Sequence, residues 1–237
     1  MTRQVALSLS RRGFSRGFAV LGTVALAALV GLGVGLGVGP GAPRPAAAAE
    51  PGDPAAFVRD FSAQAIGVLA DHSLTGEHRQ QAFRDLLTAG FDVKAISRFV
   101  LGRYWRKATE AEREEFTDLF EDLIVATYSK KFSDYGGQTL KVEAIREENE
   151  KIAAVSSRIL RRDGEPIRIN WRLLRRGQSW RIVDVVVEGM SMVLSQRSEY
   201  AAVIKGDGGK IEGLLVKLRE KTARIRAGNV QKADSTQ

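Results

Sequence analysis

Few side chains in this 237-residue chain are of types that do chemistry, and their spacing narrows the field further. Cysteine is absent, which removes thiol catalysis, iron–sulfur clusters and thiolate zinc sites. The two histidines, His72 and His78, fall in or beside a polar helical connection with no acidic ligand pair nearby, so neither a metal nor another cofactor is expected. Gly206-Asp207-Gly208-Gly209-Lys210 has the glycines of a phosphate loop. It lacks the Ser or Thr after the lysine and a preceding strand, so a turn between helices fits better. Gly189-Met190-Ser191-Met192-Val193 lacks the second glycine of a nucleophile elbow, and Ser191 suits a helix N-cap. Two carboxylates remain, in "DVVVEG". Asp184 shares strand parity with Trp180, Ile182 and Val186, so it could point inward and act as a general base on an apolar substrate. Glu188 reads as a second candidate base, or as a cap or ion-pair partner, for example to Arg197. Either base would need a pKa raised by a cavity.

The elements that must position these groups follow from periodicity. Phe57, Phe61, Ala65 and Leu69 recur on one face of a helix that starts at Asp53. A second helix around residues 79–89 ends at Gly90, read as its C-cap. Asp92 can N-cap a third helix, which Gly102 closes. Thr109-Glu110-Ala111-Glu112 is a capping box ahead of a long amphipathic helix expected to end near Tyr135-Gly136-Gly137. The period then switches to two. Segments 140–146, 152–161, 167–173 and 179–187 read as strands with short connections, one of them Asp163-Gly164. Helices return at 190–204 and 211–225, and the polar tail over 229–237 is expected to be disordered. The class is α+β: N-terminal helices, a four-stranded antiparallel meander sheet and C-terminal helices.

Net charge is +8, a value that first suggests nucleic acid. Residues 1–49, however, carry Arg3, Arg11, Arg12, Arg16 and Arg44 and no acid, and without them 31 cations face 28 carboxylates. Arginines alternate with apolar residues along the strand over 167–173, which fits a solvated face rather than nucleic-acid binding. The segment itself reads as an export signal: "SRRGFSR", an apolar run from Phe18 to Val38, then "PAAAAE" with cleavage after Ala49. The Arg11-Arg12 pair with Phe14 is twin-arginine-like. An uncleaved anchor is the alternative, since the run is long enough to span a bilayer.

What remains is apolar surface. The expected wall joins the long helix, through Leu119, Leu123 and Tyr128, to the sheet, through Val142, Val155, Ile167, Ile169, Trp171, Ile182 and Val186. Such a wall forms either an ordinary core, as in a helical interaction module, or an open apolar cavity.

Three stretches carry a resemblance. "FDVKAISRFVLGRYWRKATEAEREEFTDLFEDLIVATY" (91–128), "WRIVDVVVEGMSMVLSQRSEY" (180–200) and "GGKIEGLLVKLREK" (208–221) are similar, in order, to the signature of MlaC, the periplasmic phospholipid-shuttle family also known as toluene-tolerance proteins. The likeness spans residues 53–221; the twin-arginine leader departs from the route many members use. It implies an NTF2-like domain over residues 50–228 with acyl chains in an apolar cavity, and no catalytic residues. It implies phospholipid, or a hopanoid-type lipid, as ligand. The implied partners are an inner-membrane ABC-transporter complex with its lipid-binding anchored subunit and an outer-membrane lipoprotein complex.

Overall fold

The structure, a computed structural model, describes residues 52–71, 73–129, 139–161 and 164–234, with side chains described as far as Ala227. The expected export signal (1–49) and His72 lie outside the described residues.

Helix α1 (Pro54–Ala70) starts where Asp53 accepts the amide of Ala55 at 2.9 Å and Pro54 presets the first turn. α2 (Gly76–Gly90) and α3 (Val93–Leu101) follow, the latter capped by Asp92, which accepts Ala95 N–H at 2.9 Å. Gly102 ends α3 at φ 54° and opens a 3₁₀ turn over Gly102–Tyr104. The capping box forms as expected at the head of α4 (Glu110–Tyr128): Thr109 Oγ1 accepts Glu112 N–H, and the Glu112 carboxylate accepts Thr109 N–H at 2.7 Å. α4 closes at Tyr128, ahead of the expected Gly136-Gly137 stop, which lies outside the described residues.

The sheet is an antiparallel meander of five strands, one more than expected: β1 (Thr139–Asn149), β2 (Ile152–Leu160), β3 (Ile167–Arg176), β4 (Ser179–Val187) and the two-residue β5 (Met190–Ser191). The extra strand exists because Glu188 (φ 47°) and Gly189 (φ 83°) both take the left-handed conformation. That pair folds Met190 and Ser191 straight back onto Val187 and Val186, as a two-residue primed turn does. Ser191 then caps α5 (Met192–Gly206) through Leu194 N–H at 3.1 Å, and α6 (Glu212–Asp234) ends the fold. The backbone of α6 runs past Gly228, where a disordered tail was expected.

Hydrophobic burial divides into two clusters. One is helical, built from α2 to α6 and the end of α1 (Leu69) around Phe116, Leu123, Tyr200, Leu214 and Leu218. The other lines one face of the sheet, which α1 covers with Phe57, Val58 and Phe61. Phe91 packs against both.

Gly90 serves a different purpose from the expected C-cap. It lies inside α2, and a Cβ there would stand 2.2 Å from the ring of Phe61. The missing side chain lets α1 approach α2. Gly67, by contrast, has nothing within 4 Å of its would-be Cβ. Thermal or urea unfolding should therefore show Gly90→Ala losing about 1–3 kcal/mol through overpacking. Gly67→Ala, in an open helical position, should gain about 0.5–1 kcal/mol.

Candidate functional site

The sheet's covered face is apolar from edge to edge. β2 contributes Ala153, Val155 and Ile159, and β3 contributes Ile167, Ile169, Trp171 and Leu173, all buried by strict alternation. Two polar atoms on this face are satisfied locally: Trp171 Nε1 donates to Ser157 Oγ at 2.9 Å, and Trp180 Nε1 donates to the carbonyl of Gly52. Over it sits an aromatic cluster in which Phe61 meets Trp171 edge-on at 6.2 Å and Phe91 at 5.7 Å. Val155, Leu173 and Ile182 have no accessible surface, so at these positions the face is filled by packing rather than open to a cavity. The face emerges at β1. Leu140 and Val142 are half-buried, and Ile145, paired with the enclosed Val155, is 47% exposed.

The expected wall is therefore brought together only in part. Val142, Val155, Ile167, Ile169, Trp171 and Ile182 share the sheet cluster. Leu119, Leu123 and Tyr128 do not join them: α4 packs on α2, α3 and α6, and its apolar side chains belong to the helical cluster. The helix that faces the sheet is α1, which sequence reasoning recognised as amphipathic without assigning it to this wall. Val186 is displaced as well. A bulge in β4 sets Arg172 opposite Asp184 but Leu173 opposite Ile182, so parity reverses between them. Val185 and Val187 pair with Trp171 and Ile169 on the covered face, while Val186 and Asp184 point to the other.

That reversal removes Asp184 from the apolar face. Its carboxylate is 3% exposed, accepts Ser191 Oγ at 2.6 Å and Val193 N–H at 3.2 Å, and lies 3.9 Å from the Arg172 guanidinium. It holds the first turn of α5, a structural task. Glu188 is paired with Arg168, not Arg197. It accepts the Arg168 backbone amide, and Arg168 Nη2 lies 3.1 Å from Oε2. The amide and the guanidinium hold this exposed carboxyl below the usual glutamate range, the opposite of what a cavity base needs. Neither residue is placed as the expected general base on an apolar substrate. Met192 joins the sheet cluster, whereas Met190 is 49% exposed.

An open depression of about 350 Å³ lies beside α3, lined by Thr88, Phe91, Asp92, Val93, Lys94, Arg176 and Arg181. The Arg176–Asp92 ion pair, at 2.6 Å, is part of its lining. Among the described residues no His, Asp and Glu group could hold a metal, and no helix is long and apolar enough to cross a membrane.

Comparison with known proteins settles the kinship. The family model described as MlaC protein matches residues 59–220. The chain belongs to the MlaC family. It is 23% identical over 181 residues to the toluene tolerance protein ttg2D of Pseudomonas putida, covering 74% of this chain and 80% of that one. It is also 24% identical over 129 residues to the intermembrane phospholipid transport system binding protein MlaC of Haemophilus influenzae, covering 53% and 59%. Among solved structures it superposes with TM-score 0.65 on the phospholipid-binding protein of Ralstonia solanacearum in complex with a phospholipid. That match is 22% identical and covers 72% of this chain and 97% of the other.

The roles of the two carboxylates separate cleanly under mutation. Asp184→Ala strands the Ser191 hydroxyl and the Val193 amide, and should cost about 1–3 kcal/mol of stability in urea unfolding. For Glu188, the sign follows from a folded pKa below the unfolded one: its pair is present at neutral pH and is lost only as pH falls through the lowered value. The Arg168 amide proton, followed by NMR, should titrate with an apparent pKa below that of an unpaired glutamate.

Proposed function

We propose that this protein is a periplasmic lipid carrier. It holds phospholipid acyl chains against the sheet's apolar face and moves them between an outer-membrane lipoprotein complex and an inner-membrane ABC-transporter complex. One observation carries the reading: along the edge strand, which α1 also packs against, the apolar face opens at Ile145, beside the enclosed Val155. The phospholipid-binding and phospholipid-transport names of its relatives support it. Export by a twin-arginine-like leader over residues 1–49 belongs to the same reading, which assigns no catalytic residue.

The two-cluster construction suits such a carrier. Acyl chains entering along β1 reach Val142, Val155, Ile169 and Trp171 by displacing the start of α1, with Phe57, Val58 and Phe61, while Leu69 at its other end stays in the helical cluster. Each buried methylene is worth about 0.8 kcal/mol, so two long chains represent roughly 20 kcal/mol of avoided hydration. A bilayer supplies the same contribution, so the protein has only to match it.

Organic extraction of the purified protein followed by mass spectrometry should show co-purified phospholipid, and the delipidated protein should take it up again from vesicles. A preparation that contains none and takes up none would overturn the reading. Ile145→Asp and Val142→Asp, at the half-open edge, should each lower lipid retention by about tenfold, the factor for ~1.4 kcal/mol. Arg168→Gln, on the opposite face, should leave retention unchanged. Leu123→Asp is a poor probe, because it would bury a charge in the helical core.

A further inference from the structure

Across the sheet and along α4 and α6, many arginines are matched by carboxylates: Arg158 by Glu143, Arg168 by Glu188, Arg219 by Glu115 and Arg226 by Asp122. The segment from Val93 to Thr109 differs. It carries Lys94, Arg98, Arg103, Arg106 and Lys107 and no acidic residue. All five are exposed, and among the described residues none is ion-paired. The exposed positions of α3 are Lys94, Arg98 and Phe99, so its outer face is two cations and an aromatic ring.

Packing brings a further cation to this face of α3. α5 lies against α3, and its Arg197 guanidinium stacks 4.9 Å over the Phe99 ring. It occupies space that any side chain at position 102 would need, since a Cβ on Gly102 would stand 2.9 Å from it. Phe99 nevertheless stays 42% exposed, and Leu194, one turn before Arg197, is 47% exposed.

We propose that this face docks on the surface of an anionic phospholipid bilayer. Unpaired long cations on one side of a helix suit diffuse negative charge at a bilayer surface, while single apolar side chains between them can enter the headgroup boundary. A protein partner would be met by a contiguous apolar centre with a polar rim, and here the apolar residues stand apart among the cations. The surface is distinct from the sheet face assigned to cargo, so the two readings stand or fall separately.

The test is cosedimentation of residues 50–237, which hold both hydrophobic clusters and every described cap. The vesicles are phosphatidylcholine alone, and phosphatidylcholine mixed with phosphatidylglycerol. Partition should favour the anionic vesicles and vanish in molar salt, where the screening length shortens to about 3 Å. Each cation removed should weaken it about fivefold, so Arg98→Gln, Arg103→Gln and Arg106→Gln together should weaken it on the order of a hundredfold. Cargo phospholipid measured by extraction should stay at the wild-type level in that triple variant. Arg158→Gln, on the sheet, should partition like the wild type. Equal binding to both vesicle types, undiminished binding of the triple variant, or capture by an acidic protein without any vesicle binding would each overturn the proposal.

Discussion

The arrangement of this fold depends on one dipeptide, Phe91-Asp92, which ties the helical layer to the sheet. Backbone pairs Phe91 with Ile182, and Asp92 N–H donates to the Ile182 carbonyl at 3.0 Å. The Phe91 ring packs in both hydrophobic clusters, and the Asp92 carboxylate caps α3 while accepting Arg176 at 2.7 Å. Next to it, Gly90 yields its side-chain space to Phe61. These contacts, with the Asp184 bonds that fasten α5 to β4, set how the two layers meet, although each has a core of its own. For a lipid carrier that division is useful. A protein with one continuous core would have to unpack it to admit an acyl chain, because packed interiors are dense and resist small voids. Two cores joined at a corner can separate along the seam with each left intact.

A single extra residue in β4 decides what the chemistry-bearing corner is for. Without the bulge, Asp184 would face Trp171 and Leu173 across an apolar space, with its charged form disfavoured by burial. With it, the carboxylate turns to the opposite face and finds a hydroxyl and an amide from α5. The neighbouring Glu188 sits in a left-handed conformation that usually goes to Gly, Asn or Asp, at a cost on the order of 1 kcal/mol. Its bonds to the Arg168 amide and guanidinium offset that cost. Both acids thus fasten the β4–β5–α5 corner, and neither is left on the apolar face to catalyse.

What was legible in the sequence was local. The Asp92, Thr109 and Ser191 caps each involve residues three positions apart, so type and spacing suffice to place them. The β3 alternation is equally local, and its inward set of Ile167, Ile169 and Trp171 emerged as read. What was not legible depended on partners distant in the chain. The parity reversal at Asp184 needs the register against Arg172, and Val183-Asp184-Val185 carries no glycine or other mark of a bulge. The role of Gly90 needs Phe61, 29 positions earlier, and its place near a helix end made the capping explanation natural. Which helix covers the sheet was likewise undecidable from amphipathicity, since α1 and α4 both present apolar faces. The expected wall from Leu119, Leu123 and Tyr128 failed for that reason.

The same separation of layers bears on how transfer can have a direction. Apolar burial is non-directional and nearly equal in bilayer and carrier, so a deeper or greasier site would retain cargo without aiming it. A bias must come from something that distinguishes the donor from the acceptor surface, and a conformational equilibrium shifts only by a ligand's differential affinity for its states. The apolar face of the sheet has no such group: Trp171 Nε1 and Ser157 Oγ satisfy each other, and Trp180 Nε1 is taken by the Gly52 carbonyl. The cations of α3 lie on the helical side, beside the Phe91-Asp92 tie, where a docking contact can bear on the seam without touching the sheet's apolar face. On the proposed reading, direction would belong to the helical layer and capacity to the sheet, with the corner at residues 90–92 as the place where one acts on the other.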